Sequence, residues 1–137
     1  MQTAPKWLRP VAAIALAWNL LGCLAFVGDM GMSAEDVARL DPVQRAMAQS
    51  RPLWSVAGTG VAVIGGALGS LGLLLRRRWA VPLLVASLVG VLAQHMGMAM
   101  VGVSPGPVVI ALQGLVLAVA IALVMLGLRA RRRGWLH

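Results

Sequence analysis

The 137-residue chain has four acids, one cysteine, one phenylalanine and no tyrosine. A single cysteine excludes an intrachain disulfide framework. The acids, Asp29, Glu35, Asp36 and Asp41, all fall in one short segment. The long apolar runs therefore hold no carboxylate for proton-coupled antiport, which needs an ionisable group inside the membrane. A Ser-His-Asp hydrolase lacks its acid for the same reason. No GxxxxGK[ST] phosphate loop is present either, so no catalytic residue is assigned and the chain reads as a non-enzyme. Charged residues make up 12% of the chain, half of what coats an ordinary soluble domain at about 25%. Disorder is excluded as well, because disorder needs low hydrophobicity and 60% of this chain is hydrophobic.

What is present is a set of long uncharged runs and a mean hydropathy of +0.86. Val11 to Gly28, Pro52 to Leu75 and Trp79 to Leu128 carry no charge. The last run is about 50 residues long, enough for two spans at about 20 residues each. Gly102-Val103-Ser104-Pro105-Gly106-Pro107 divides it, since two prolines remove backbone donors and two glycines loosen the chain. Spans are expected near residues 7–28, 52–75, 79–102 and 106–128. Backbone polar groups must be satisfied within lipid, so the spans read as helices of a single all-α, four-helix transmembrane bundle.

Charge sets the expected orientation. Lys6, Arg9, Arg76, Arg77, Arg78, Arg129, Arg131, Arg132 and Arg133 fall on one side of the four spans. Arg39, Arg45, Arg51 and all four acids fall on the other. The positive-inside rule then puts both termini in the cytoplasm, as an inner-membrane protein. Trp7, Trp79 and Trp135 fall at the cytoplasmic edge and Trp54 at the outer edge, the places of interfacial anchors. The formal charge of +8 is explained by these flanking clusters. They have no aromatic interleaving, so nucleic acid is not expected, whereas anionic lipid headgroups at the cytoplasmic side are. Leu20-Leu21-Gly22-Cys23 is similar to a bacterial lipobox, but Leu24-Ala25-Phe26-Val27 continues the apolar run past it. An uncleaved span, with Cys23 as a small buried residue, is the expectation.

Residues 29–51 form the outer loop. Ser33 before Glu35 and Asp36, and Asp41 before Pro42, read as two helix starts. Val37, Leu40, Val43 and Met47 supply an apolar stripe, so two short amphipathic helices are expected on the outer leaflet or as a cap on the bundle.

The second span is rich in small residues. Gly65 and Gly69 form one close-approach pair, and Gly58, Ala62, Gly66 and Ser70 recur every four residues. Such residues let helix backbones approach in lipid, where no hydrophobic drive joins helices. They serve either packing within the chain or a homodimer.

Two constellations carry candidate chemistry. Asn19, Thr59, Gln94, His95 and Gln113 lie one per span or two, all roughly 10–14 Å below the outer surface at 1.5 Å per residue. Trp18, beside Asn19, is too deep for an interfacial belt. These residues read either as interhelical hydrogen-bond glue or as an outward-facing polar pocket floored by Trp18. The second constellation is soft: Cys23, His95, Met96, Met98 and Met100, with Met30, Met32 and Met47 near the outer loop. Thioether, imidazole and thiol suit Cu(I), although methionine is also an ordinary gap-filler in apolar helices. His95 has no second axial partner for haem at matching depth, and no cofactor is expected.

Trp18-Asn19-Leu20-Leu21-Gly22, Pro52-x-Trp54, Gly65-Gly66-x-x-Gly69, the run from Leu73 through Arg76-Arg77-Arg78-Trp79-Ala80-x-Pro82-Leu83, Ser87-Leu88 and Gln94 form a pattern over residues 7–95. In this pattern the chain resembles a family of small, mostly uncharacterised bacterial four-span membrane proteins, some loosely labelled sugar transporters. The resemblance implies a four-helix bundle in a bacterial inner membrane, and it carries no substrate residues. His95 to Met100 departs from the family pattern. Three readings follow: a periplasm-facing binding or transport component for a small uncharged polar solute, an accessory or assembly subunit of a larger membrane complex, and a soft-metal binder. Transport by so thin a bundle would require dimerisation through the second span; a homodimer or a larger membrane complex is the expected assembly.

Overall fold

The computed structural model describes residues 3–102 and 106–137 and is helical throughout, with no strand among the described residues. The chain order is α1 (Leu8–Met30), α2 (Ala34–Ala38), α3 (Pro42–Ser50), α4 (Leu53–Leu74), α5 (Ala80–Met100) and α6 (Pro107–Arg132). The four long helices α1, α4, α5 and α6 are long and apolar enough to cross a membrane. The expected turn over residues 102–107 lies partly outside the described residues. Both termini lie at the same end, the terminal end, while α2 and α3 join α1 to α4 at the other, the loop end.

Helix boundaries follow local chemistry. Pro107 occupies the first position of α6 behind an extended Gly106, where its missing N–H is an orphan in any case. Asp41 caps α3 by accepting from the Gln44 N–H at 2.8 Å. Ser33 and Asp36 cap α2 reciprocally, each side chain accepting the other's backbone N–H at 3.1 Å. Helix α6 runs four residues past the end of the expected span and carries Arg129, Arg131 and Arg132 in its last turn. The expected end marked the last uncharged residue, but arginine favours helix and complements the dipole at a C-terminus. Helix α1 likewise runs unbroken through Cys23 and Asp29 to Met30.

Helix α4 is the central element. It packs along α5 on one side and along α1 on the other. Towards α5 its backbone is bare. A Cβ on Gly90 would collide with the Gly58 carbonyl and would stand 2.7 Å from the Ala62 nitrogen. A Cβ on Gly58 would meet the Ala93 methyl at 2.8 Å, and one on Gly69 would meet the Leu84 side chain at 2.6 Å. Gly65 faces the Leu83 carbonyl at 3.1 Å. Towards α1, Gly66 faces the Asn19 amide, and Gly60 faces the Phe26 ring at 3.1 Å. Every small residue singled out in the second span is thus covered within the chain. A second copy would have to meet another surface.

Helix α6 rests on α5 and barely touches α4. At the terminal end it is drawn into one buried cluster containing Leu8, Ala12 and Ala15 of α1, Leu73 of α4, Ala80 and Leu84 of α5, and Leu123 and Ala130 of α6. The chain's last residues close this cluster. Gly134 takes a left-handed φ of 75°. The Gly134 N–H donates to the Arg131 carbonyl at 3.2 Å and the Trp135 N–H to the Ala130 carbonyl at 2.9 Å, a Schellman turn that sends the chain back onto the bundle. His137 then pairs in both directions with the α4–α5 turn: its N–H donates to the Arg76 carbonyl at 2.7 Å, and its carbonyl accepts from the Arg78 N–H at 3.0 Å. That turn is itself a Schellman motif, with Arg76 at φ 55° in the position glycine usually holds and the Arg77 N–H on the Gly72 carbonyl at 2.7 Å.

Trp135 corrects an expectation. It is 7% exposed and meets Trp7 edge to face, centroids 5.9 Å apart at 86°. It is a core residue at the terminal end and no surface anchor, because the Schellman turn folds it inward. Trp7, Trp54 and Trp79 remain half exposed. Large apolar side chains such as Ile14, Leu24, Ile110 and Met125 also point outward, the arrangement that suits a hydrocarbon surround.

Replacing Gly90 with leucine is expected to push α4 off α5. Overpacking of this kind costs about 1–3 kcal/mol, and it should appear as a lowered midpoint in detergent unfolding. Leucine at Gly114, where a Cβ would meet nothing, should leave the midpoint near that of the parent.

Candidate functional site

Because α1 and α6 flank the α4–α5 pair without packing along each other, a cleft opens between them towards the loop end. Its volume is about 410 Å³, within the range of about 300–1,000 Å³ usual for ligand pockets. Trp18, Leu21 and Phe26 of α1, Thr59 and Val63 of α4, Gln94 and Met98 of α5, and Leu112, Gln113 and Val116 of α6 line it. Ser87, Val119 and Leu123 lie at its deep end, and Asp29, Met47 and Arg51 lie at its mouth.

Five of the six residues assigned to the polar constellation, Trp18, Asn19, Thr59, Gln94 and Gln113, share this cleft. They do not form a single layer. The Asn19 amide donates to its own Ala15 carbonyl at 2.9 Å and to the Ser70 hydroxyl at 3.3 Å. Ser70 lies eleven residues beyond Thr59 on α4, roughly 16 Å further along the axis. Ser87 adds to this deep tier by donating to the Ala62 carbonyl at 2.6 Å. The upper tier holds Thr59, Gln94, Gln113 and Ser55. Counting residues inward from each helix end assumed level ends, whereas α1 is offset along α4, so Asn19 reaches Gly66 and Ser70 instead of Thr59.

The upper tier ties α6 to α5. Gln94 Nε2 donates to Gln113 Oε1 at 3.4 Å. His95 stands outside the cleft lining, with Nδ1 2.8 Å from the Val91 carbonyl and Nε2 3.1 Å from the Gln113 carbonyl. Thr59 donates within its helix to the Ser55 carbonyl at 3.2 Å, and Ser55 donates to the Gln94 carbonyl at 3.4 Å. Thr59 therefore keeps hydroxyl acceptor capacity, and the two glutamines share only one bond between them, so amide groups remain to serve a guest.

The soft constellation is not brought together. Both His95 nitrogens lie against backbone carbonyls, those of Val91 and Gln113. The Cys23 thiol donates to the Val63 carbonyl at 3.4 Å on α4. Met96 and Met100 are 62% and 65% exposed, while Met98 lines the cleft and Met47 lies at its mouth. Among the described residues no group of three histidine, cysteine or acidic side chains is placed to hold a metal.

Sequence reasoning missed the mouth. Arg51 lies two residues before the start of α4, and Asp29 is the next-to-last residue of α1. One charge of each sign beside two span ends was the available signal. Ser87 was also missed as a cleft residue, because a lone serine in an apolar run reads as neutral.

No family model, curated protein or solved structure matches the chain.

In a double-mutant cycle, Gln94→Leu and Gln113→Leu are expected to couple by about 0.6 kcal/mol, the average for an interhelical hydrogen bond in a membrane protein. Unfolding midpoints of the two single variants and the double variant would measure it. Strict additivity would show that the pair is not joined.

Proposed function

We propose that this is a small multi-pass inner-membrane protein whose cleft between α1 and α6 binds a ligand, as a binding or transport component open towards the periplasm. The observation that carries this reading is the convergence of Trp18, Asn19, Thr59, Gln94 and Gln113 on one cleft. Glue alone needs no shared cavity. The polar groups below the mouth are neutral, which suits a small uncharged polar solute, the ligand expected from the sequence. Orientation rests on charge. Nine of the twelve basic residues lie at the terminal end, which the positive-inside rule places in the cytoplasm beside anionic headgroups. Helices α2 and α3 then form an amphipathic cover on the periplasmic face, with Met47 over the cleft mouth. We assign the protein no catalysis.

One observation favours a second reading, an accessory or assembly subunit of a larger membrane complex. Helix α6 is held chiefly by α5, which leaves its far side open to a helix from another polypeptide.

Gently extracted protein should carry a bound molecule in native mass spectrometry, and Asn19→Leu or Gln94→Leu should remove it. An adduct indifferent to both changes would overturn the binding reading. A reporter fused to the C-terminus should be active only if it folds in the cytoplasm, and periplasmic activity would reverse the orientation.

A further inference from the structure

Resting on the reading of the cleft as a binding site, we propose that its ligand is a zwitterionic phospholipid entering sideways from the leaflet at the loop end. Three observations converge on that chemistry.

The first is shape. The cleft lies between α1 and α6, which do not pack along each other, and this gap is the route by which a lipid would enter from the side. Along α6 it runs from Leu112 to Leu123, eleven residues or roughly 16 Å. A bilayer's hydrocarbon core is about 30 Å thick, so the cleft has the depth of one leaflet. Its walls are largely apolar, with Leu21, Phe26, Val116 and Val119 among them, as an acyl chain requires.

The second is charge at the mouth. Arg51 and Asp29 both line the cleft there. Among the described residues Arg51 makes no ion pair, and its Nε, like that of Arg45, is buried without a hydrogen bond. A buried guanidinium donor left unmade is costly, and phosphate matches its fork. Asp29, on the same cleft, would repel a purely anionic head and would attract an ammonium. One cation and one anion lining the same cleft fit a phosphate joined to an amine. A neutral solute would leave Arg51 unsatisfied, and a partner's apolar helix would do the same.

The third is the upper polar tier. Thr59, Gln94 and Gln113 lie below the charged mouth and above the apolar depth. Neutral donors at that level suit the ester carbonyls that join a lipid's head to its chains. The order charged, neutral polar, apolar is thus the same in the cleft and in the ligand.

The test uses the full chain in detergent with phosphatidylethanolamine, phosphatidylglycerol and diacylglycerol of identical acyl chains, added singly and read by native mass spectrometry. One phosphatidylethanolamine should be retained per chain at concentrations at least tenfold below those needed for the other two. Arg51→Ala should weaken retention roughly tenfold or more, and Arg51→Lys should restore part of it. Asp29→Asn should remove the preference for phosphatidylethanolamine over phosphatidylglycerol. Val116→Trp, which fills the cleft, should abolish the adduct without lowering the unfolding midpoint. Equal retention of all three lipids, or an adduct that survives Val116→Trp, would place the lipid on the outer surface and overturn the proposal. A native ligand that is lost in Gln94→Leu but is not a phospholipid would overturn the lipid assignment and leave the binding site standing. The absence of any Gln94-sensitive ligand would remove both.

Discussion

The bare contact between α4 and α5 is the constraint on which the other positions depend. Gly58, Ala62 and Gly90 let two backbones meet where no side chain fits. In lipid such contact is worth more than apolar bulk, because tails already solvate apolar side chains. Once α4 and α5 are joined so closely, α1 can lie only against the free side of α4, and α6 only against α5. The two outer helices come together at the terminal end, where both enter one buried cluster, and leave the cleft between them towards the loop end. The cleft follows from this arrangement, and no residue had to be spent on holding it open.

Polar side chains fix the remaining freedom. Asn19 with Ser70 sets the height of α1 on α4, and Ser87 with the Ala62 carbonyl locks α4 to α5 near the same level. Gln94 and His95 hold α6 at its upper half through Gln113. The same side chains therefore both position the walls and line the cleft. Glue and pocket, which read as alternatives from the sequence, are two uses of one set of groups.

The four spans and their all-helical character were legible because length, hydropathy and the absence of internal charge act locally along the chain. The small-residue faces of α4 were legible too, since a four-residue spacing defines a helix face. Which neighbours those faces meet was not, because both α1 and α5 satisfy the pattern equally. The depth of Asn19 was misjudged because the offset between helices is a property of the assembled bundle. The inward turn of Trp135 was hidden by its setting. Arginines before and after a tryptophan resemble a membrane flank, and only the Gly134 turn and the pairing of His137 with residues 76 and 78 reveal a closure. The gap between α1 and α6 has no sequence signature, since it is made of contacts that do not form.

The closure has a bearing on how the molecule is made. The segment that receives His137 is complete once α4 and α5 are in place, but its partner comes only after α6. Those two stretches can meet only when the fourth helix has crossed and returned the chain to the side it started from. Their pairing also covers the Leu8 and Leu136 side chains. An incompletely inserted chain would therefore leave an uncovered apolar end, visible to whatever surveys newly made membrane proteins, while an inserted one covers that end with residues 134–137.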